Sequence, residues 1–413
     1  MLYPIHHTFG PHVSFRYWLK AESLVFQPWK WKKGPATEEL RKTFSSAFNG
    51  DTYFFGSGRE AMLALLRSLN LGNGAEIIIQ GFTCVALPNA IHAAGYTTVY
   101  ADMDPNTLNM SASSVRTKIT ERTKAIICQH TFGIPADLSG LRALADERGI
   151  LLIEDCAHIL PDQKGPEGLG LKGDYVMLSF GRDKAISGVA GGAIIARKNK
   201  ARDGLQKEEN EAIEYSNGTI FRYLIYPDTY MAARLFYKIA GIGKVCLALC
   251  KVFKLMIPVL TSEEKKGYMP PTLHKIPHGC AALALWELKR MNEINAHRRS
   301  ITAYYWEQAQ RLGWKFPSSI SPTLPLQKFP LYIDGAENIR QKLKKQNIHL
   351  EDGWTSAVVC PRSSDQQRAN YVRGSCPFAE GAAWTLLSLP THPTMSLTQA
   401  KKLVDILHDS LRR

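Results

Sequence analysis

Residues 124–155 read KAIICQHTFGIPADLSGLRALADERGILLIED, and this stretch decides the fold. It holds two short apolar runs, 125–128 and 150–153, on either side of a helical segment. Leu138, Leu141, Leu144 and Ala145 recur at the spacing of one helix face, with Asp137 or Ser139 as cap candidate and Gly149 as the stop. Apolar run, helix, apolar run is a βαβ unit, whose strands lie parallel. The same alternation extends outward through TYFF (52–55), EIIIQ (76–80), YTTVYA (96–101) and YVMLSF (175–180), with GREAMLALLRSLN (58–70) helical. The expected fold class is α/β, a large mostly parallel sheet with helices on both faces. Ligands in such sheets bind at the carboxyl ends of the strands.

The 413 residues are 45% apolar and 21% charged, which excludes a disordered chain, a collagen-like repeat and a disulfide miniprotein. The net charge of +14 favours anions, and nucleic acid, anionic lipid and phosphorylated metabolites all qualify. Eight cysteines without a CxxC pair suit a reducing, cytoplasmic setting. The first residues, MLYPIHHTFGPHVSF, lack the apolar core of a signal peptide, and no apolar run is long enough to span a bilayer.

Three regions are expected. Residues 1–40 (with QPWKWKKGP) show no sustained period and read as an irregular arm. Residues 41–265 form the large domain. Residues 266–413 supply one long helical pattern (279–312) and a smaller α+β domain of short strands and two helices, the last capped by Ser396. Within the large domain an apolar, basic insert occupies about 220–262. Its stripe is Leu235, Ile239, Ile242, Cys246, Leu249, Phe253, Met256 and Leu260, with Lys244, Lys251 and Lys254 opposite, and Gly241 and Gly243 as break points. Residues 230–260 then read either as a core or dimer-packing helix or as a helix lying on an anionic membrane.

Three features sit at strand ends. Gly56–Ala61, GSGREA, reads as a tight turn or as a phosphate cradle at a helix N-terminus. It also satisfies GxGxxA, but the acidic partner Glu76 precedes its strand, which argues against a dinucleotide. Asp155 follows an apolar strand, as a helix cap or as the partner of a cationic ring nitrogen, with His158 three residues on. In YVMLSFGRDKAISGVAGGAII, Ser179 ends a strand and Lys184 follows in a loop before Gly188, Gly191 and Gly192; a buried lysine there is a Schiff-base amine. A phosphate cradle, an acid and a lysine in this order are what pyridoxal phosphate needs.

Weaker signals carry less. His274 and His278 have metal-like spacing, but Pro277 interrupts the helix and no third ligand is evident, so no metal is expected. His130 either lines the site or packs. Cys84 has no nucleophile's partner, and the Trp–Lys cluster at 29–33 is too short to indicate nucleic acid.

The sequence resembles the DegT/DnrJ/StrS family of PLP-dependent sugar aminotransferases, of the aspartate-aminotransferase-like fold type I. The resemblance spans about 40–200 and 265–410. It is carried by FGSGREAMLALL, AEIIIQGFTCVALPNAI, TVYADMDPNTLNM, RTKAIICQHTFGIPADL, LLIEDCAHILP, GDYVMLSFGRDKAISGVAGGAII, AALALWELKRMNEINAHRR and CPFAE…LSLPTHP. It implies that Lys184 joins pyridoxal 5′-phosphate as a Schiff base, that Asp155 pairs with the pyridinium nitrogen, and that His158 lies beneath the ring. Ser57, Gly58, Arg59 and Ser179 would hold the phosphate. It further implies amino transfer from an amino acid, glutamate by expectation, to a nucleotide-linked keto-sugar for surface polysaccharide, lipid-linked glycan or secondary-metabolite biosynthesis. A homodimer follows, with 265–280 reaching across to the partner.

The departures are Arg59 where the family has Thr, Cys84 where it stacks an aromatic ring (Phe82 is two residues earlier), and Leu273 where it brings Asn to the phosphate. They keep two alternatives in view: another PLP reaction on the same scaffold, such as dehydration or lipid-linked amination, and a non-catalytic membrane-associated member. Retention of Lys184 argues against the dehydratase branch, where it is His.

Overall fold

The computed structural model describes residues 4–162, 164, 168–237, 242–253 and 255–412, apart from the side chains of residues 244, 246 and 251. Seven strands form the central sheet: β1 (Asp51–Phe55), β2 (Glu76–Gln80), β3 (Thr97–Ala101), β4 (Thr123–Gln129), β5 (Leu151–Asp155), β6 (Tyr175–Ser179) and β7 (Gly192–Ala196). Their order is β1-β7-β6-β5-β4-β2-β3. Only β7 runs against its neighbours, pairing antiparallel with β6 and β1. This is the fold of the type I PLP aminotransferases.

Side-chain alternation splits the core into layers. Ile77, Ile79, Ile127, Ile153 and Met177 pack in the main core, while Phe54, Val176, Leu178 and Ile195 face a second cluster and Ile78, Ile126 and Leu152 a third. Strands buried on both faces read as unbroken apolar runs, which is why they were visible in sequence. The helix Leu138–Arg148 starts where Asp137 accepts from the Gly140 N–H at 3.0 Å and ends at Gly149, φ +63°. Asp137, not Ser139, is the cap.

Beyond the sheet, the helices His278–Leu288 and Met291–Leu312 lead to an antiparallel pair, Lys328–Tyr332 with Leu386–Pro390. That pair carries the helices Ala336–Lys344, Pro377–Thr385 and Leu397–Arg412. Ser396 caps the last, accepting from the Gln399 N–H at 3.2 Å.

The structure corrects the sequence reading in several places. The arm is not irregular: Phe15–Val25 is a helix that buries Tyr17, Ala21 and Leu24. Exposed Phe15 and Leu19 put apolar groups on its other face and hide that stripe in sequence. Ahead of it, Ile5–His6 pairs parallel with Ile348–His349. The single pattern at 279–312 is two helices, broken at Lys289–Arg290 with no glycine or proline to announce it. After about residue 315 the described residues hold three helices where the sequence suggests two; Gly381 inside Pro377–Thr385 weakens the signal of the third.

The insert contains the helices Tyr226–Leu235 and Ile242–Val252. Leu235, Ile242, Leu249 and Phe253 of the expected stripe are exposed. Ile239, Gly241, Lys254 and the side chains of Lys244, Cys246 and Lys251 lie outside the described residues. No helix among the described residues is long and apolar enough to cross a membrane.

Candidate active site

The carboxyl ends of β1, β4, β5 and β6 open onto one cavity of about 690 Å³. Ser57, Gly58, Arg59, Cys84, Asp155, His158, Ser179 and Lys184 all line it, so the structure brings every sequence-predicted site residue together. Such a volume suits a ligand well above the size of an amino acid.

The Gly56–Gly58 turn joins β1 to the helix Gly58–Leu69. Ser57 caps that helix, accepting from the Glu60 N–H at 3.3 Å. The first N–H groups of a helix lack carbonyl partners and carry its positive dipole end. The turn is tight because its neighbours leave no room: a Cβ on Gly58 would sit 2.9 Å from Ser179 Cβ, and one on Gly192 would sit 2.4 Å from Gly58 N. Small residues thus let the turn pack directly against β7 and Ser179, with Ser57 and Ser179 both on the cavity wall. The Arg59 guanidinium is turned elsewhere, to Glu264 Oε1 at 2.8 Å and the Val259 carbonyl at 2.6 Å. What Arg59 offers the turn is its backbone.

Asp155 ends β5 in a buried position, where one carboxylate oxygen accepts from the Ala157 N–H at 2.9 Å. Burial raises its pKa, opposed by that N–H and by the Lys184 charge. Lys184 lies in the loop from β6 to β7, and its Nζ stands 3.3 Å from His158 Nε2. His158 Nδ1 accepts from the Phe132 N–H at 3.2 Å, which leaves Nε2 as the protonated nitrogen of the neutral ring. Burial, together with the charges of Lys184 and Lys328, holds His158 well below the usual histidine range, so the ring is neutral. The loop is held by its main chain: buried Arg298 donates to the Ala185 carbonyl at 2.8 Å and the Lys184 carbonyl at 3.2 Å.

Cys84 pairs through its strand with Cys360, and burial raises its thiol pKa. Phe82 does not replace an aromatic ring there: it is fully buried, its ring against Phe132 and Trp354. Leu273 is buried in the main core. The segment around it lies on this chain's own turn, where the His274 carbonyl accepts from Gly56 N–H at 2.7 Å and His274 N–H donates to Glu60 at 2.6 Å. His274 stacks on Tyr215 at 4.1 Å, whereas His278 contacts the Lys30 carbonyl, so the two do not converge. His130 packs: its Nδ1 accepts from the Ala136 N–H, and its ring is fully buried.

Sequence reasoning missed three parts of the wall. Asp352, Gly353 and Trp354 come from the C-terminal region; Trp354 sets its ring edge-on to His158 at 5.1 Å. Tyr215, Tyr223 and Tyr226 line another side, and residues 257–261 cover a third. The DG pair before Trp354 marked a turn, but nothing in it pointed to the cavity.

The family model described as the DegT/DnrJ/EryC1/StrS aminotransferase family matches residues 21–219 and 261–408. The chain belongs to this family. It is therefore an aminotransferase that uses pyridoxal phosphate. A relative named GDP-perosamine synthase, from Escherichia coli O157:H7, is 34% identical over 86% of this chain and 84% of its own length. Another, named UDP-N-acetyl-3-dehydro-α-D-glucosamine 3-aminotransferase, from Acidithiobacillus ferrooxidans, is 26% identical over 86% and 83%. The solved structure of DesI in the presence of its TDP-sugar product is 20% identical, with a TM-score of 0.72 over 99% of this chain and 93% of that one. That last likeness concerns the fold.

Proposed function

We propose that this aminotransferase moves an amino group from an amino acid, glutamate by preference, onto the ketone of a nucleotide-linked sugar. The observation that carries the reading is the convergence of Lys184, Asp155, His158 and the Ser57 turn on one cavity. The names of the two sequence relatives, both acting on nucleotide-linked sugars, support the acceptor class.

The residues fit the cofactor. The tight turn puts Ser57, Gly58, Arg59 and Ser179 on one wall of the cavity, which suits a phosphate that Ser57, Ser179 and the backbone N–H groups of Gly58 and Arg59 would hold. Asp155 suits a protonated pyridine nitrogen, because a buried carboxylate with a single N–H donor favours a cation beside it. Bound there, pyridoxal phosphate supplies an electron sink for the substrate's α-carbon. Lys184 Nζ would hold the cofactor and could take and return the substrate's α-proton. His158 orients Nζ through Nε2, and Cys84 and His158, both on the cavity wall, would lie beside the ring. Trp354 and the tyrosines exclude water.

Three further points belong to the proposal: division into an arm (1–40), a large domain (41–265) and a C-terminal part (266–413); pairing of two copies in the cytoplasm; and contact of 230–260 with an anionic lipid surface. Exposed Leu235, Phe236, Val245, Leu249, Val252 and Phe253 support the last, and flotation with anionic vesicles tests it.

Incubation with glutamate and UDP- or GDP-linked keto-sugars should release 2-oxoglutarate and an amino-sugar nucleotide, and Lys184→Ala should abolish both. Release of neither product by the wild-type protein across that panel sinks the reading.

A further inference from the structure

The family model passes over residues 220–260, yet part of that segment reaches the cavity: Ile257, Pro258, Val259 and Leu260 line it. Two arginines tie this stretch down by its backbone. Arg59, two residues after Ser57, donates to the Val259 carbonyl at 2.6 Å. Arg182, two residues before Lys184, donates to the Ile257 carbonyl at 2.6 Å and lies over the Tyr226 ring, 4.2 Å from its centre. Behind them, Glu264 accepts from Arg59 Nε and from the Thr261 N–H, and Thr261 caps the short helix Ser262–Lys265 in return.

The stretch therefore bridges the phosphate turn and the lysine loop. The Ile257 and Val259 carbonyls are taken, and the side chains the stretch brings to the cavity, Ile257, Pro258, Val259 and Leu260, are all apolar. It stands at the outer end: Val259 is 58% exposed, whereas Asp155 is 7% and His158 5% exposed. On the function proposed above, an amino acid reacting at Lys184 needs only the inner end, whereas a nucleotide-linked sugar is long enough to reach the mouth.

We infer that residues 257–260 form a strap that selects the acceptor, and that Arg59 and Arg182 are positioning residues for it. This rests on the acceptor class proposed above. The side chains of the strap are uncharged and apolar, so they meet an uncharged face of the acceptor, sugar or base. Arg59, a departure from the family's usual threonine, has its reason in the insertion it anchors.

The test uses the full-length holoenzyme, UDP-N-acetyl-3-dehydro-α-D-glucosamine and a GDP-linked keto-sugar as acceptors, and glutamate as donor. In Ile257→Ser/Val259→Ser the acceptor KM should rise about 10-fold more than the donor KM, the scale on which apolar pockets discriminate. In Arg59→Thr, amide hydrogen exchange across 257–261 should quicken at least about 10-fold, since the tie that slows local opening is gone. Arg59→Lys should fall between. Equal rises in both KM values, or exchange unchanged in Arg59→Thr, overturn the strap. If the wild type aminates no keto-sugar, the acceptor reading fails, and the exchange experiment still decides whether Arg59 holds the strap.

Discussion

His12 Nδ1 lies 2.6 Å from Glu287 Oε2, and both side chains are 2% exposed. The pair joins the N-terminal segment to the helix His278–Leu288, and its other contacts lead to the lysine loop. His12 Nε2 meets the Lys184 carbonyl at 2.8 Å, and the Ser187 N–H donates to Glu287 at 2.7 Å. Removing one partner of a buried pair strands the other. His12→Ala should lower stability by about 3–5 kcal/mol, read by urea unfolding, and should weaken retention of pyridoxal phosphate on dialysis. Unaltered retention would confine His12 to a packing role.

Asp155→Asn keeps the shape and removes the charge. The rate of amino transfer should fall about 100-fold or more, in the range of a lost acid–base partner, while the Tm changes little or rises, because burial already disfavours the carboxylate. Steady-state kinetics and a melting curve on one preparation check both halves.

A methyl at Gly192 meets backbone, not a movable side chain: Gly58 N at 2.4 Å and Gly58 Cα at 2.5 Å. Gly192→Ala should cost about 1–3 kcal/mol as overpacking and push the Ser57 turn outward. A raised Kd for pyridoxal phosphate, measured by fluorescence quenching, is the expected signature. Wild-type affinity would show that the turn does not hold the phosphate.

Acid should destabilise the chain in a defined window. Burial lowers His7 to about 4 and His392 to about 3. Their folded values lie below the unfolded value of about 6.5, so between these limits the unfolded chain binds more protons. The stability is full above about pH 6.5 and is lost as pH falls towards 4; for His7 alone the shift is worth on the order of 3 kcal/mol. Urea midpoints at pH 7.5, 6 and 5 should fall in that order, and His392→Gln should flatten the trend.

The sheet was legible because each central strand is buried on both faces, and Asp155, Ser179 and Lys184 because they follow such strands directly. Other parts left no local mark. The strap is fixed through main-chain carbonyls, which any sequence supplies. Trp354 reaches His158 from a distant part of the chain. The direction of the Arg59 guanidinium left no mark either, because its partner, Glu264, lies in a capping box far downstream. Cooperation between distant backbone and side chain has no periodicity to read.

The pairing of Ile5 with Ile348 has a consequence for how the protein is made. Ile5 must wait for Ile348 to emerge from the ribosome. Until then His12 has no fixed approach to the lysine loop, and Trp354 is not yet in place against His158. The strands β2 to β6 can pair early, but the cofactor turn waits for Gly192 and His274, and the catalytic chamber closes only once Trp354 has emerged. Contacts of such long sequence separation also form slowly. An interrupted or shortened chain should thus yield a folded sheet with an open, poorly retentive site, not a smaller working enzyme.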